Sequence, residues 1–158
     1  MAIRSTAKAI WLENGKILLN RCQNRTGNVY FALPGGGQRP FETLEETVVR
    51  EVREETGFSV RPVRLLAVCE EIFGDAAIRR DFPEYAHRLH HIFLVERTDE
   101  ARMSPQEKDF QQMGCEWLPW EKIGEISLCP RKIKACLGAI LCGQNVLYLG
   151  CDFIEEGL

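Results

Sequence analysis

The chain has 158 residues and a mass of 18.1 kDa, the usual size of one globular domain, so we predict a single domain over residues 1–158. Its hydrophobic fraction of 45% and charged fraction of 27% are ordinary for a folded protein, which excludes disordered, collagenous and coiled-coil classes. The 20 Lys and Arg residues against 23 Asp and Glu residues give a net charge of −3, which lacks the basic excess of a general nucleic-acid binder.

The first half of the chain predicts a β-hairpin, a third strand and a helix. Two apolar segments, Ala7 to Leu12 and Lys16 to Cys22, flank the dipeptide Asn14-Gly15, which is a strong hairpin signal. Val29 to Leu33 predicts a strand that ends at Pro34 and is followed by three glycines. Glu42 to Thr56 contains no Gly or Pro and predicts a helix, with Gly57 as its stop.

The second half predicts further strands and a late helix. The apolar segments Val60 to Phe73 and His87 to Arg97 predict long strands, the first bent near Pro62. Between them, Gly74 to Ala86 predicts a charged loop. The other predictions are a polar connection over Thr98 to Gly114, a short strand over Glu116 to Trp120, a helix over Arg131 to Cys142 entered through Pro130, and an ambiguous tail. Strands around a central helix, with another helix late, predict an α/β domain with a mixed sheet covered on both faces.

The cysteines and the N-terminus predict a cytoplasmic protein. The seven cysteines are scattered, and none forms the CxxC pair typical of zinc sites, so we predict free thiols. The first residues, MAIRSTAKAIWLEN, lack the apolar core of a signal peptide. No run approaches the roughly 20 apolar residues that span a bilayer, so we expect no membrane partner.

Three glutamates share one face of the predicted first helix. Glu51, Glu54 and Glu55 stand at positions i, i+3 and i+4, and Val48 and Val52 form a neighbouring apolar face. Like charges at this spacing destabilise a bare helix, and the C-terminal half of a helix disfavours negative charge. A solvated acidic face is the ordinary interpretation of such a cluster. Hard oxygen ligands grouped in this way also suit magnesium or manganese.

The spacing of this segment resembles the Nudix box, the signature of Nudix hydrolases. Seven fixed identities at their required spacing arise by chance at one place with odds on the order of one in 10⁸. The residues that fill the box are Gly36, Glu42, Arg50, Glu51, Val52, Glu54, Glu55, Gly57 and, with an aromatic side chain allowed at the last place, Phe58.

The resemblance implies the Nudix fold, an α/β/α sandwich with a mixed sheet, and hydrolysis of a nucleoside diphosphate linked to another moiety with Mg²⁺ or Mn²⁺. It also implies the role of each box residue. Glu54 and Glu55 match the principal metal ligands, and Glu51 matches a metal ligand or general base. Gly35 matches a backbone carbonyl ligand, and Arg50 matches an arginine that orients the glutamates and supports catalysis. Glu42 matches a residue that supports the box structurally or takes part in the metal network, and Gly36 and Gly57 match turn residues.

Family members differ in which glutamate accepts the proton of the attacking water, and some use a residue outside the box. Glu107 and Glu116 are candidates here, followed by Glu70, Glu71 and Glu84, although each is more commonly a surface acid. A carboxylate within hydrogen-bond reach of the water contributes about 10²- to 10⁴-fold in rate. Glu51 and Glu54 are the predicted catalytic glutamates, together with Arg50.

The signals for the substrate are weaker. Aromatic side chains can stack on a base and arginines can bind phosphate, so we predict substrate contacts for Arg21, Phe31, Arg79 and Tyr85. Further candidates are Arg25, Arg80, Phe82 and Trp117, and core packing or solvent exposure is the competing interpretation for all of them. His87, His90 and His91 do not have zinc-site spacing. The substrate class stays open between oxidised nucleotides, ADP-ribose, dinucleoside polyphosphates and nucleotide sugars.

Two other functions compete with hydrolysis. The first is a Nudix-like nucleotide sensor without catalysis, for which a degenerate box is typical, whereas this box is intact. The second is an isomerase that acts on a lipid diphosphate and needs additional cysteine and histidine residues. We expect a nucleotide-derived small molecule as partner, no nucleic acid, and possible homodimerisation, which is common in the family.

Overall fold

The computed structural model describes residues 3–106, 111–143 and 147–155. The strands are β1 Arg4–Glu13, β2 Lys16–Gln23, β3 Val29–Ala32, β4 Gly35–Gly37, β5 Val60–Phe73, β6 His87–Arg97, β7 Gln112–Pro119, β8 Leu128–Cys129 and β9 Leu147–Ile154. The helices are α1 Leu44–Thr56, α2 Ala76–Asp81 and α3 Arg131–Leu141, and a 3-10 turn covers Trp120–Glu125. None of the helices in these ranges is long and apolar enough to cross a membrane.

The strands form one mixed sheet, in the order β8-β3-β2-β1-β6-β5-β9, with β4 paired to β1 and β7 paired to β2. The pairs β1–β6, β5–β9 and β3–β8 are parallel, whereas the other pairs are antiparallel. Helix α1 packs on one face and α3 on the other. The predicted α/β class and the α/β/α sandwich are therefore confirmed.

The alternation of side chains along β1 separates two cores. Ala7, Ala9 and Trp11 are buried in the cluster that contains Val48 and Val52 of α1. Ile10, one residue out of phase, belongs to the other cluster, which contains α3 residues at helical spacing: Ile133, Leu137 and Ile140. Lys8 lies between Ala7 and Ala9, so its side chain is on the α3 side of the sheet.

The predicted first hairpin is confirmed at its turn. Asn14 and Gly15 connect β1 to β2 with φ angles of 51° and 72°. Positive φ at both central residues is what a two-residue type I′ turn requires, and Asn-Gly meets that requirement. The turn fixes the register in which Leu12 pairs with Ile17.

Helix α1 begins two residues later than predicted because of a capping box. The Thr43 side chain accepts a hydrogen bond from the Glu46 backbone N–H at 3.1 Å, and the Glu46 carboxylate accepts one from the Thr43 N–H at 2.8 Å. These bonds satisfy N–H groups that otherwise lack partners at a helix start. The helix ends at Gly57, whose φ of 76° is left-handed, as its predicted turn role requires.

Other segments differ from the sequence prediction. Gly35–Gly37 forms a short strand paired with β1. Glycine allows this close approach at Gly35, where a Cβ atom would lie 2.2 Å from the Ala7 carbonyl oxygen. The predicted charged loop is wrong over Ala76–Asp81, which is α2, capped by the Asp75 side chain on the Ala77 N–H. The strand predicted at Glu116 begins at Gln112, and the ambiguous tail forms β9, which is parallel to β5.

Candidate active site

Arg50 is the centre of a carboxylate cluster on α1. Its guanidinium donates to the two oxygens of Glu42 at 2.6 and 2.9 Å. The same group donates to Glu51 at 2.7 Å, to Glu54 at 3.1 Å and to the Gly37 carbonyl at 3.0 Å. The fork of the guanidinium thus holds glutamates from the helix and from the preceding loop in one arrangement.

This cluster changes the acidity of its members in opposite directions. The hydrogen bonds from Arg50 lower the pKa of Glu42 from 4.5 to about 2. Burial raises the pKa of Glu51 above its ordinary value, although Arg50 acts in the opposite direction. Glu51 is therefore the more basic of the two carboxylates.

The lowered pKa of Glu42 predicts an acid-sensitive contribution to stability. The pKa of Glu42 is about 2 in the folded protein, below the ordinary glutamate value of 4.5 that applies to the unfolded chain. The contribution of Glu42 to stability is therefore complete above about pH 5 and is lost as the pH falls towards 2. We expect Glu42→Gln to lower the free energy of unfolding by up to about 3 kcal/mol at pH 7, and the difference from wild type to shrink below about pH 5.

Urea unfolding of both proteins between about pH 7 and pH 2.5 measures this difference. Glu45→Gln, an exposed position on the same helix, is the reference variant. A difference between wild type and Glu42→Gln that stays constant over this range contradicts the prediction.

Glycines bring the backbone against the carboxylates. A Cβ atom at Gly36 would lie 2.6 Å from Oε2 of Glu51, so a larger residue there would displace that carboxylate. Glu55 is only 4% exposed. Its Oε2 accepts hydrogen bonds from the Asn20 side chain at 2.7 Å and from the Gly35 N–H at 2.9 Å. The Gly35 carbonyl accepts a hydrogen bond from the Lys8 ammonium.

The donor set fits a hard divalent cation in its chemistry. Glu51, Glu54, Glu55 and the Gly35 carbonyl supply only oxygen, and Mg²⁺ binds through one or two carboxylates together with water and substrate phosphates. Within residues 3–106, 111–143 and 147–155, no three acidic, His or Cys side chains converge into a metal site by themselves. Binding of a cation therefore requires Glu51 or Glu54 to turn from Arg50, or a substrate phosphate to complete the coordination.

A cleft of about 660 Å³ opens beside the cluster on the α3 side of the sheet. Its floor comes from strands β1, β2, β3, β5 and β6, and residues 75–85 around α2 form one wall. The volume lies within the range of small-molecule sites. The polar and aromatic residues of its lining include Lys8, Asn20, Tyr30, Glu55, Glu71, Phe82, Glu84, Tyr85, Arg88 and His90.

A buried polar network lies on the cleft floor. Oε2 of Glu71 accepts a hydrogen bond from His90 Nε2 at 2.9 Å and forms an ion pair with Arg88 at 2.7 Å. Burial raises the pKa of Glu71, but the His90 hydrogen bond and the Arg88 charge outweigh it and lower that pKa to about 2. Burial lowers the pKa of His90, so its ring is neutral at pH 7, with Nε2–H towards Glu71 and Nδ1 accepting from Thr6 at 2.7 Å.

Only one of the predicted substrate contacts lines the cleft. Tyr85 does so, together with the further candidates Phe82 and Arg25. Phe31 packs against the core on the α3 side, and Trp117 packs edge-on against Trp11 at 4.9 Å. The other arginines have protein contacts outside the cleft lining: Arg21 with Met113, Arg79 with the Phe73 carbonyl, and Arg80 with Asp81.

The glutamates outside the box occupy different environments. Glu71 and Glu84 line the cleft. Glu70 instead accepts hydrogen bonds from His87 and Tyr148, at 3.0 and 2.6 Å, and Glu116 lies in β7 opposite Leu19. Glu107 lies outside the described residues.

The histidines and cysteines have separate environments in the structure. Each histidine contacts a different partner, namely Glu70, Glu71 or the Thr6 carbonyl. The seven cysteines, all within the described ranges, form no disulfide with one another.

The sequence predictions missed the polar residues of the cleft floor. Lys8 carried a detectable signal, because it is a lysine inside an apolar strand on the same face as buried Ile10. Asn20 is likewise a polar residue that closes a run of buried apolar positions in β2. The link between Glu71 and Arg88 has no such signal, because it depends on the register of β5 against β6.

An α/β/α sandwich with a glutamate-bearing helix beside a cleft is the fold class of Nudix proteins. A NUDIX hydrolase from Nitrosomonas europaea superposes with a TM-score of 0.72 at 19% identity, over 92% of this chain and 93% of that one. A MutT protein from Bacillus halodurans gives 0.71 at 21% identity, over 98% and 92%. At these identities the likeness concerns the fold. Residues 3–135 match the NUDIX domain, and the chain therefore belongs to the NUDIX family.

Curated relatives match over shorter segments. An ADP-ribose pyrophosphatase of Methanocaldococcus jannaschii is 46% identical over 56 residues, which are 35% of this chain and 33% of that protein. The 8-oxo-dGDP phosphatase NUDT18 of Homo sapiens is 29% identical over 107 residues, which are 68% of this chain and 29% of that protein. The chain thus spans about a third or less of the length of these relatives.

Proposed function

We propose that this chain hydrolyses a phosphoanhydride bond in a nucleoside diphosphate linked to another moiety, with Mg²⁺ or Mn²⁺ as cofactor. The observation that carries the proposal is the cluster of Glu42, Glu51 and Glu54 around Arg50, beside a cleft of about 660 Å³. Membership of the NUDIX family supports the reaction class.

The residues proposed to hold the cation are Glu54, Glu55 and the Gly35 carbonyl, with Glu51 as a further ligand or as the general base. When bound, the cation would neutralise phosphate charge and lower the pKa of a coordinated water. Arg50 and Glu42 act through the glutamates by fixing their positions, with Gly36 leaving the space for Glu51. The proposed cation site depends on Glu51, Glu54 and Glu55 lying on one face of α1.

We assign proton acceptance from the attacking water to Glu51. Its raised pKa brings it closer to neutral pH, where a general base is more effective. Glu71 is a weaker candidate, because its pKa of about 2 makes it a poor base and His90 and Arg88 both occupy one of its oxygens. Glu54 then serves mainly as a ligand.

The cleft is proposed to bind the nucleoside part of the substrate. Tyr30, Phe82 and Tyr85 offer aromatic surface for a base. Asn20 Oδ1, Glu71 Oε1 and Arg88 Nε are buried and have no hydrogen-bond partner within the described ranges. Buried polar atoms are normally paired, so these atoms favour a polar ligand. The names of the relatives, ADP-ribose pyrophosphatase and 8-oxo-dGDP phosphatase, share a purine nucleoside diphosphate, which we propose as the substrate class.

The test is product release from a panel of ADP-ribose, 8-oxo-dGDP, a UDP-sugar and a dinucleoside polyphosphate. Each compound is assayed with Mg²⁺, with Mn²⁺ and with EDTA. We expect turnover that requires the divalent cation and is fastest on a purine compound. Nucleotide binding without turnover on any member would favour the sensor function instead, and turnover that persists in EDTA would exclude the proposed cofactor.

A further inference from the structure

Lys8 is a half-buried cation in the lining of the cleft, next to the carboxylate cluster. Its ammonium donates to the Gly35 carbonyl, which fills one of three N–H donors. Within the described ranges Lys8 has no carboxylate at ion-pair distance, whereas the other cleft cation on the floor, Arg88, is paired with Glu71 at 2.7 Å. Two N–H donors and the charge of the Lys8 ammonium are therefore available for a ligand.

Lys8 also lies between two parts of the site. Its positive charge lowers the pKa of Glu51 in the box and that of Glu71 on the cleft floor, so it is within electrostatic range of both. Its own strand pairs with β4 at Gly35, where the cluster begins, and with β6 on the other side, which holds His90 and Arg88. A ligand that reaches from the cluster into the cleft therefore passes the Lys8 ammonium.

Few cations in the cleft are available to bind an anionic ligand. Among the described lining residues, the acids Glu55, Glu71, Asp75, Asp81 and Glu84 outnumber the cations Lys8, Arg25 and Arg88. Arg25 is exposed and stacks over the Phe82 ring, at 5.5 Å from its centre. Lys8 is thus the one cation of the three that is both sheltered and without an acidic partner.

We infer that Lys8 binds a phosphate oxygen of the nucleoside diphosphate, between the glutamate cluster and the nucleoside end of the cleft. An ammonium is a compact point charge that suits a phosphate oxygen. When Lys8 turns to the phosphate, it releases the Gly35 carbonyl, which is a proposed cation ligand. Lys8 is therefore a substrate-binding residue whose movement links phosphate binding to completion of the cation site. The inference rests on the proposed function for the identity of the ligand, a nucleoside diphosphate. Its test measures binding and does not depend on hydrolysis.

The experiment compares the affinity of ADP with that of adenosine in EDTA, by isothermal titration calorimetry on the full chain. We expect Lys8→Met to weaken ADP binding by about 10- to 100-fold and to leave adenosine within about twofold. Lys8→Arg should retain part of the ADP affinity. Lys16→Met, an exposed lysine at the other end of the hairpin, is the matched control and should bind like wild type.

Thermal melts establish that each variant is folded, and Lys8→Gln replaces Lys8→Met if that variant is not. Equal losses for ADP and adenosine, an unchanged ADP affinity, or wild-type protein that binds ADP no more tightly than adenosine would each overturn the inference. So would a loss of more than about threefold in Mn²⁺ affinity without nucleotide, because removal of a lysine that occupies the Gly35 carbonyl should leave the cation affinity unchanged or raise it. Lys8-dependent ADP binding without turnover on the substrate panel would reject the hydrolase proposal alone.

Discussion

Glu54→Gln is expected to lower kcat by at least about 10²-fold while the protein stays folded. The substitution keeps the shape of the side chain but replaces an anionic oxygen ligand with a neutral amide. Glu54 is the box glutamate that the structure leaves most open to a ligand, because Arg50 holds it only at 3.1 Å and Arg39 at 3.4 Å, and its side chain is 19% exposed. The substitution therefore removes charge from the proposed cation site without leaving a cavity.

Two measurements separate this effect from a general disturbance. Steady-state kinetics at increasing Mg²⁺ give the loss in kcat, and Mn²⁺ titration followed by electron paramagnetic resonance gives the loss in cation affinity. Glu45→Gln, on the exposed side of the first turn of α1, should change neither by more than about twofold. Full activity in Glu54→Gln would mean that the cation binds to other residues.

The cluster on α1 was predictable because helix periodicity and residue identity determine it locally. Glu51 and Glu54 fall on one face whatever the rest of the chain does, and Arg50 is adjacent to them in sequence. The same reasoning held for the hairpin at Asn14-Gly15, where the backbone conformation is a property of the two residues themselves. Short-range physics is sufficient in both cases.

The cleft was not predictable in this way because its parts are distant in sequence. The partner of Glu71 across the sheet is Arg88, 17 positions along the chain, and Asn20 meets Glu55 over 35 positions. Such contacts depend on strand register and on the bulges in β5, which no local pattern determines. The charged segment that forms α2 predicts a loop, because a helix of only six residues with mostly exposed side chains leaves no periodic apolar pattern in the sequence.

Arg50→Met is expected to cause the largest combined loss, about 3 kcal/mol of unfolding free energy and at least about 10²-fold in kcat. Arg50 is 16% exposed and neutralises Glu42, Glu51 and Glu54, so its removal leaves three carboxylates facing one another. Their repulsion destabilises the fold, and a displacement of about 1 Å in a catalytic group is enough to cost about 10²-fold. Arg50→Lys should recover part of the stability but little activity, because an ammonium cannot reproduce the guanidinium fork.

The control for position is Arg53→Met on the same helix. Arg53 is 49% exposed and lies 4.0 Å from Glu100, so both stability and kcat should remain near wild type. The control for charge is the double variant Arg50→Met with Glu42→Gln. Removing one of the unpaired acids should restore about 1 kcal/mol or more of stability and leave kcat low, because the glutamates still lack the group that fixes their positions. Recovery of kcat together with stability would show that Arg50 supports only the fold, and that Glu51 and Glu54 find their catalytic positions without it.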